Sequence, residues 1–263
     1  AVESADAGDI VLVAPGVYRE SCPIDITVNN LSIVGQSLRS CFVHPTPATE
    51  NNSMFRVNSG TLISNFTFAG MKATGTRGDN SIDTDSTYGL PEEQGWVIEF
   101  YPNAQIFKSP YIQNCTNFAD SGIDNHTAQE EETDPDVNGY FDPNNMTQGG
   151  FGGDLTSGPT GGGILIDGAA VSSDSPLRSM VVDAFTQITL DGPGLLCRNN
   201  GYGQLVSFFG TFCHYHAKAL SGGQLNLSNC TTDYGRYGLV ADGKSTTANF
   251  TASVTAAAAA GDT

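Results

Sequence analysis

The sequence predicts an all-β chain wound as a parallel solenoid, and three observations lead there. Gly203-Gln204-Leu205-Val206-Ser207 and Gly223-Gln224-Leu225-Asn226-Leu227 are alike and start 20 residues apart, the length of one solenoid turn. A second phrase recurs as Gly163-Ile164-Leu165-Ile166-Asp167-Gly168, Gly194-Leu195-Leu196-Cys197-Arg198-Asn199 and Gly238-Leu239-Val240-Ala241-Asp242-Gly243, and these three are expected to lie one over another. The 31 Gly and 12 Pro beside 15% charged residues fit many short strands joined by turns, with no long amphipathic helical segment among them.

Taken in order, residues 1–8 read as the tail of a helix stopped at Gly8, as in a piece excised from a longer protein. Strands follow at 9–13, 24–28, 31–34, 41–43, 54–57 and 62–68, rich in Ile, Val, Leu and Phe. Between them Ala14-Pro15-Gly16, Val28-Asn29-Asn30, Gly35-Gln36-Ser37 and Asn58-Ser59-Gly60 supply turn chemistry. Residues 72–95 lapse into Gly, Asp, Ser and Thr and read as a loop thrown off the stack. Strands resume at 95–100 and 110–116. Residues 120–162, acidic and rich in Gly and Asp, exceed an ordinary connection and are expected to be a functional excursion or an arm. The last turns run from 163 to about 242, so residues 1–263 form one elongated domain. Asn-X-Ser/Thr triplets at Asn30, Asn65, Asn114, Asn229 and Asn249 are read as turn and ladder residues of stacked coils, not as glycosylation sites.

Eleven Lys and Arg against 28 Asp and Glu give a net charge of −17. Such a surface repels phosphate backbones and anionic head groups, which argues against nucleic-acid and membrane-surface partners. No run of eighteen apolar residues occurs. Six cysteines, Cys22, Cys41, Cys115, Cys197, Cys213 and Cys230, are spread through strand-like runs without a C-x-x-C, the pattern of free thiols packed as small hydrophobes. Cys213 and Cys230, on neighbouring coils, are the pair that a disulfide would join.

The opening run from Asp9 through Val13, Ala14-Pro15-Gly16-Val17-Tyr18-Arg19-Glu20 and Leu31-Ser32-Ile33-Val34-Gly35 resembles the first coils of the pectin-lyase-like superfamily. That likeness implies a right-handed, single-stranded parallel β-helix with long inserted loops. Ser109-Pro110-Tyr111-Ile112-Gln113-Asn114-Cys115, Val182-Asp183-Ala184-Phe185-Thr186-Gln187, Gly201-Tyr202-Gly203-Gln204-Leu205-Val206-Ser207 and the phrase at 237–243 are similar to β-helical virion structural proteins of marine cyanobacterial myophages. The resemblance spans most of the chain outside the acidic excursion. It implies a non-enzymatic tail, baseplate or fibre component in the virion, docked to neighbouring virion proteins and to copies of itself, as in a homotrimer. The alternative on the same fold is a receptor-binding or glycan-degrading tailspike acting on a host surface glycan.

The superfamily's known chemistries lack their motifs here. The Asp-Phe-Ile-Phe-Gly phrase of pectin methylesterases is absent, as are the Asn-Thr-Asp, Asp-Asp and Gly-His-Gly of polygalacturonases and the basic motif of calcium-dependent lyases. Asp183 and Asp233 are the carboxylates that a glycosidase would pair at roughly 5–10 Å. Asp134, Asp136, Asn138 and Asp142 match oxygen-ligand positions of a calcium loop with Gly139 at its turn, although Asn145 replaces the closing Glu. No cofactor is expected of the chain, with calcium the alternative that this loop raises. His214 and His216 flank Tyr215 on one strand face, and three copies about an axis would offer six imidazoles to a transition metal. The ordinary expectation for both is exposure to solvent. Tyr140 and Phe141, set in a loop without a core, are the candidates for partner contact.

Overall fold

The computed structural model describes residues 1–71, 95–118, 161–189, 192–235 and 237–242. Its strands form three parallel ladders that the chain visits in fixed rotation. The first holds β1 (Ile10–Val13), β4 (Ser32–Gly35), β7 (Leu62–Ser64), the front of β10 (Tyr111–Phe118) and of β12 (Ser179–Ile188), β14 (Tyr202–Val206) and β17 (Gln224–Ser228). The second holds β2 (Gly16–Glu20), β5 (Cys41–Pro45), β8 (Thr67–Ala69), the rear of β10 and β12, β15 (Phe209–Thr211) and β18 (Thr231–Asp233). The third is a seven-stranded sheet of β3 (Ile24–Asp25), β6 (Phe55–Val57), β9 (Ile98–Phe100), β11 (Ile164–Asp167), β13 (Pro193–Arg198), β16 (Tyr215–Leu220) and β19 (Tyr237–Asp242). The described chain is thus all-β, with parallel strands in curled sheets compatible with a β-helix or solenoid.

Alternation along each strand sends one set of side chains inward. Ile33, Ile63, Ile112, Val182 and Leu205 succeed one another along the first ladder and are almost fully buried. The corner between the first and second ladders explains the Asn-X-Thr triplets. Asn65, Asn114, Ala184, Ser207 and Asn229 occupy it in successive turns with φ between 50° and 65°. This left-handed conformation is one that Asn tolerates better than most side chains. The next residue turns inward, giving the column Phe66, Cys115, Phe185, Phe208 and Cys230, and the third opens the second ladder as Thr67, Thr116, Thr186, Phe209 and Thr231. Asn114 Nδ2 donates to Asn65 Oδ1 at 2.7 Å, and Asn65 Nδ2 to the Gly35 carbonyl at 3.1 Å. Ala184 interrupts this file with a methyl group. Ala184→Asn is therefore expected to stabilise the fold by about 0.5–1 kcal/mol, read as a raised urea midpoint; an unchanged or lowered midpoint would refute the corner assignment.

Several expectations are corrected. Between the two look-alike phrases the turn step is 22 residues, not 20, because Tyr202 lies opposite Gln224 and Tyr215 opposite Tyr237. Gly203 sits within β14 opposite Leu225, whereas Gly223 is in the turn before β17, its N–H donating to the Leu220 carbonyl, so the two look-alike phrases are out of register. The other phrase does stack, but Lys218 intervenes: Leu165, Leu196, Lys218 and Val240 form the column. Residues 1–8 hold only a single 3-10 turn at Val2–Ser4. The run at 62–68 is two strands broken at Asn65. β2 runs on directly from the Pro-Gly turn and was not expected as a strand.

All six cysteines are free, Cys213 and Cys230 included. Burial pushes the Cys22 and Cys115 thiols up to about 12 and Cys197 to about 11. Native-state alkylation near neutral pH is expected at Cys230, the one incompletely buried cysteine, with the other five reacting only on unfolding. Peptide mapping that found Cys115 or Cys197 labelled before Cys230 would contradict this.

Candidate functional site

Asp134, Asp136, Asn138, Asp142, Tyr140 and Phe141 lie outside the described residues. Met71 and Phe118 follow the second ladder and Gly95 and Gly161 precede the third, in adjacent turns, so these four described residues mark one corner of the stack.

Two turns further on, the same corner holds His214, and His216 follows it within β16. Both are buried, at 7% and 2% exposure, which overturns the expectation that they face solvent. For His216 the cause is the missing side chains of Gly210 and Gly235. A Cβ at either position would overlap the His216 ring, so the two glycines open the slot that the imidazole fills. His216 Nδ1 lies 2.9 Å from the Tyr237 carbonyl oxygen and Nε2 3.1 Å from that of Asp233. A metal at this ring would have to displace a backbone contact. The His214 ring packs 5.6 Å from the Tyr237 ring and edge-on to Tyr215. Among the described residues no three His, Cys, Asp or Glu side chains gather as a metal site.

Of the two carboxylates considered for glycosidic cleavage, Asp183 sits on the outer face of the first ladder. Its Oδ2 accepts a hydrogen bond from Tyr111 Oη at 2.8 Å. Asp233 closes β18 in the second ladder and caps the next residue, Oδ1 accepting from Tyr234 N at 3.0 Å. The fold places them on different ladders two turns apart. The hydrogen bond to Asp183 raises the Tyr111 phenol above its ordinary value, because ionisation would set two negative charges side by side. In an alkaline ultraviolet titration one tyrosine is expected to lag the others. Asp183→Asn should remove the lag, and a lag that survived it would exclude this pair as its cause.

Sequence reasoning missed three polar features that depend on register. Arg198 Nε binds Asp167 Oδ2 at 2.8 Å in adjacent strands of the third ladder, and Asn199 Nδ2 binds Asp167 Oδ1 at 2.8 Å. Arg56 binds Glu99 at 2.8 Å on the same ladder and lies 3.8 Å from Asp25. Inside the second ladder Asn117 and Gln187, both fully buried, face each other across β10 and β12 with Asn117 Nδ2 donating to Gln187 Oε1 at 3.0 Å. Asn117 Oδ1 and Gln187 Nε2 have no hydrogen-bond partner. Such a pair resists separation, since either amide alone would lose its one partner in a dry interior.

The last feature is the mouth of the stack at the first turn. Inward residues Val11, Val13, Tyr18 and Ile24 are only half-buried, while their successors Ile33, Val43 and Phe55 are buried. Together they line a cavity of about 740 Å³ that is rimmed by Glu3, Glu20 and Asp25. Asp25 Oδ1 is buried and accepts no hydrogen bond.

Comparison with known proteins returned no matching family model, no similar curated protein and no similar solved structure.

Proposed function

We propose that this chain is an architectural part of a bacteriophage virion, a right-handed parallel β-helix in a tail, baseplate or fibre, carrying out no chemistry of its own. The observation that carries the architectural half is the continuity of the three ladders from β1 to β19. Each turn satisfies the backbone groups of the next along the whole length, which makes a stiff rod. Right-handed winding follows from the near-universal hand of crossovers between parallel strands. The virion half rests on the resemblance of the phrases at 109–115, 182–187, 201–207 and 237–243 to cyanophage structural proteins.

The non-enzymatic reading is supported by how the described carboxylates are used. Asp183 holds Tyr111, Asp167 holds Arg198 and Asn199, and Glu99 holds Arg56. These are structural ties between neighbouring turns. Copies of the chain, as a homotrimer, and other virion proteins are the proposed partners, with a host surface glycan as the alternative, and Tyr140 and Phe141 are the residues proposed for partner contact.

Immunogold labelling of purified particles of the encoding phage, with antibodies to this chain, is expected to mark the tail, baseplate or fibre. Absence of its peptides from virions by mass spectrometry would overturn the reading. Release of reducing sugar from host surface polysaccharide, lost on Asp183→Asn, would replace it with a glycan-degrading spike.

A further inference from the structure

Connections from the third ladder to the first are short at 58–61 after β6 and at 199–201 after β13. In the two turns between these they lengthen to 101–110 after β9 and 168–178 after β11. The two longer connections are fastened to each other. Asn103 N donates to the Ala170 carbonyl, Ser172 N to that of Ala104 and Leu177 N to that of Ile106, while Ser175 Oγ accepts from Ile106 N at 2.8 Å. Ala104, Ile106 and Val171 are buried in the core beneath. Ser59 Oγ of the preceding turn accepts from the amides of Phe107 and Lys108 at 3.0 and 3.1 Å. The pair is therefore a knob with anchors of its own, built on the middle turns and away from both ends of the stack.

Its outward side chains differ from the surface around it. Phe107 is 64% exposed and Leu177 37%, and every other exposed large hydrophobic side chain among the described residues, Tyr202 apart, lies in the first turn or the last. Lys108 follows Phe107 and Arg178 follows Leu177, and neither cation has an ion-pair partner among the described residues. Asp174 is the single acid in the two connections, within a chain of net charge −17. An exposed aromatic ring beside an arginine is the composition of an interface centre. The charge selects the partner: the cations of the knob complement the acidic body of another copy, whereas knob against knob would set like charges together.

We propose that the knob formed by 101–110 and 168–178 docks on the acidic body of a second copy of this chain, with Phe107 as its apolar anchor and Lys108 and Arg178 as its cations. The inference rests on the self-association proposed above and names the surface that makes it. Sedimentation equilibrium of the whole chain is expected to show a discrete oligomer. Its dissociation constant should rise about tenfold or more in Phe107→Ser, and likewise when Lys108→Glu and Arg178→Glu are combined, with circular dichroism unchanged because these side chains lie outside the core. A photoreactive benzoylphenylalanine in place of Phe107 tests the contact without removing the ring. In an equal mixture of isotopically light and heavy chains its cross-links should join a light to a heavy chain, and should land outside the two connections.

A chain that stays monomeric, or an oligomer equally tight in the variants, would overturn the proposal. Cross-links confined to one chain would show the knob covered by the chain's own residues and overturn it too, as would cross-links joining knob to knob. Virion incorporation of a chain that stays monomeric would sink the knob contact alone. A knob-dependent oligomer missing from virions would sink the virion reading alone.

Discussion

Gly194→Ala is expected to lower the thermal midpoint by about 10 °C, from a cost of about 3 kcal/mol spread over a domain of this size. Gly194 lies in β13, beside β16, and an added Cβ would overlap the backbone carbonyl oxygen and Cα of His216. The obstacle is main chain of the next turn, so no rotamer change relieves it; β13 and β16 would have to part where Pro193 pairs with Tyr215 and Leu195 with Ala217. His216 would move with its backbone, disturbing the ring seated between Gly210 and Gly235. Thermal unfolding followed by circular dichroism reads the effect. A shift below about 2 °C would mean that the turns near Gly194 are more loosely stacked than described.

Phe185→Ala is expected to cost about 3–5 kcal/mol, the range for deleting a fully buried aromatic side chain. Phe185 is fully buried and stacks on Phe208 of the next turn, with ring centroids 6.0 Å apart and planes at 5°. Its neighbour on the other side is Cys115, too small to swing into the vacancy. Both Phe208 and the interior behind it would therefore face a void. Urea unfolding of Phe185→Ala and Phe185→Leu should rank alanine well below leucine. Loss of less than about 1 kcal/mol in the alanine variant would show that the corner column is not packed as described.

Much of the fold was legible because stacked parallel strands impose local rules that residues obey one at a time. Ile10–Val13, Ile98–Phe100 and the front of Tyr111–Phe118 are short runs of strand-forming residues bounded by turn chemistry, and they were found where they occur. Asn65, Asn114 and Asn229 were read only as turn or ladder residues, and Asn65 and Asn114 were placed within strand runs, because the left-handed corner they share shows only once the turns are stacked. The turn step was misjudged because Gly203 and Gly223 look alike while serving different purposes, one within a strand and one in a turn. His214 and His216 were misplaced for a related reason. The His216 ring depends on glycines at 210 and 235 and the His214 ring packs on Tyr237, contacts that form only after the chain has passed through other ladders.

The sequence alone determined the all-β class and most of the succession of strands and turns. These follow from side-chain size, backbone preference and spacing within a few residues. Tertiary structure alone decided the 22-residue register, the pairing of Asn117 with Gln187, the ties from Asp183 to Tyr111 and from Asp167 to Arg198, and the acidic rim around the open first turn. Each joins residues from different turns or gathers distant segments at one mouth, and the intervening insertions vary the length of chain between turns. A parallel ladder fixes partners by hydrogen-bond registry across that chain, and no local preference encodes where the count begins.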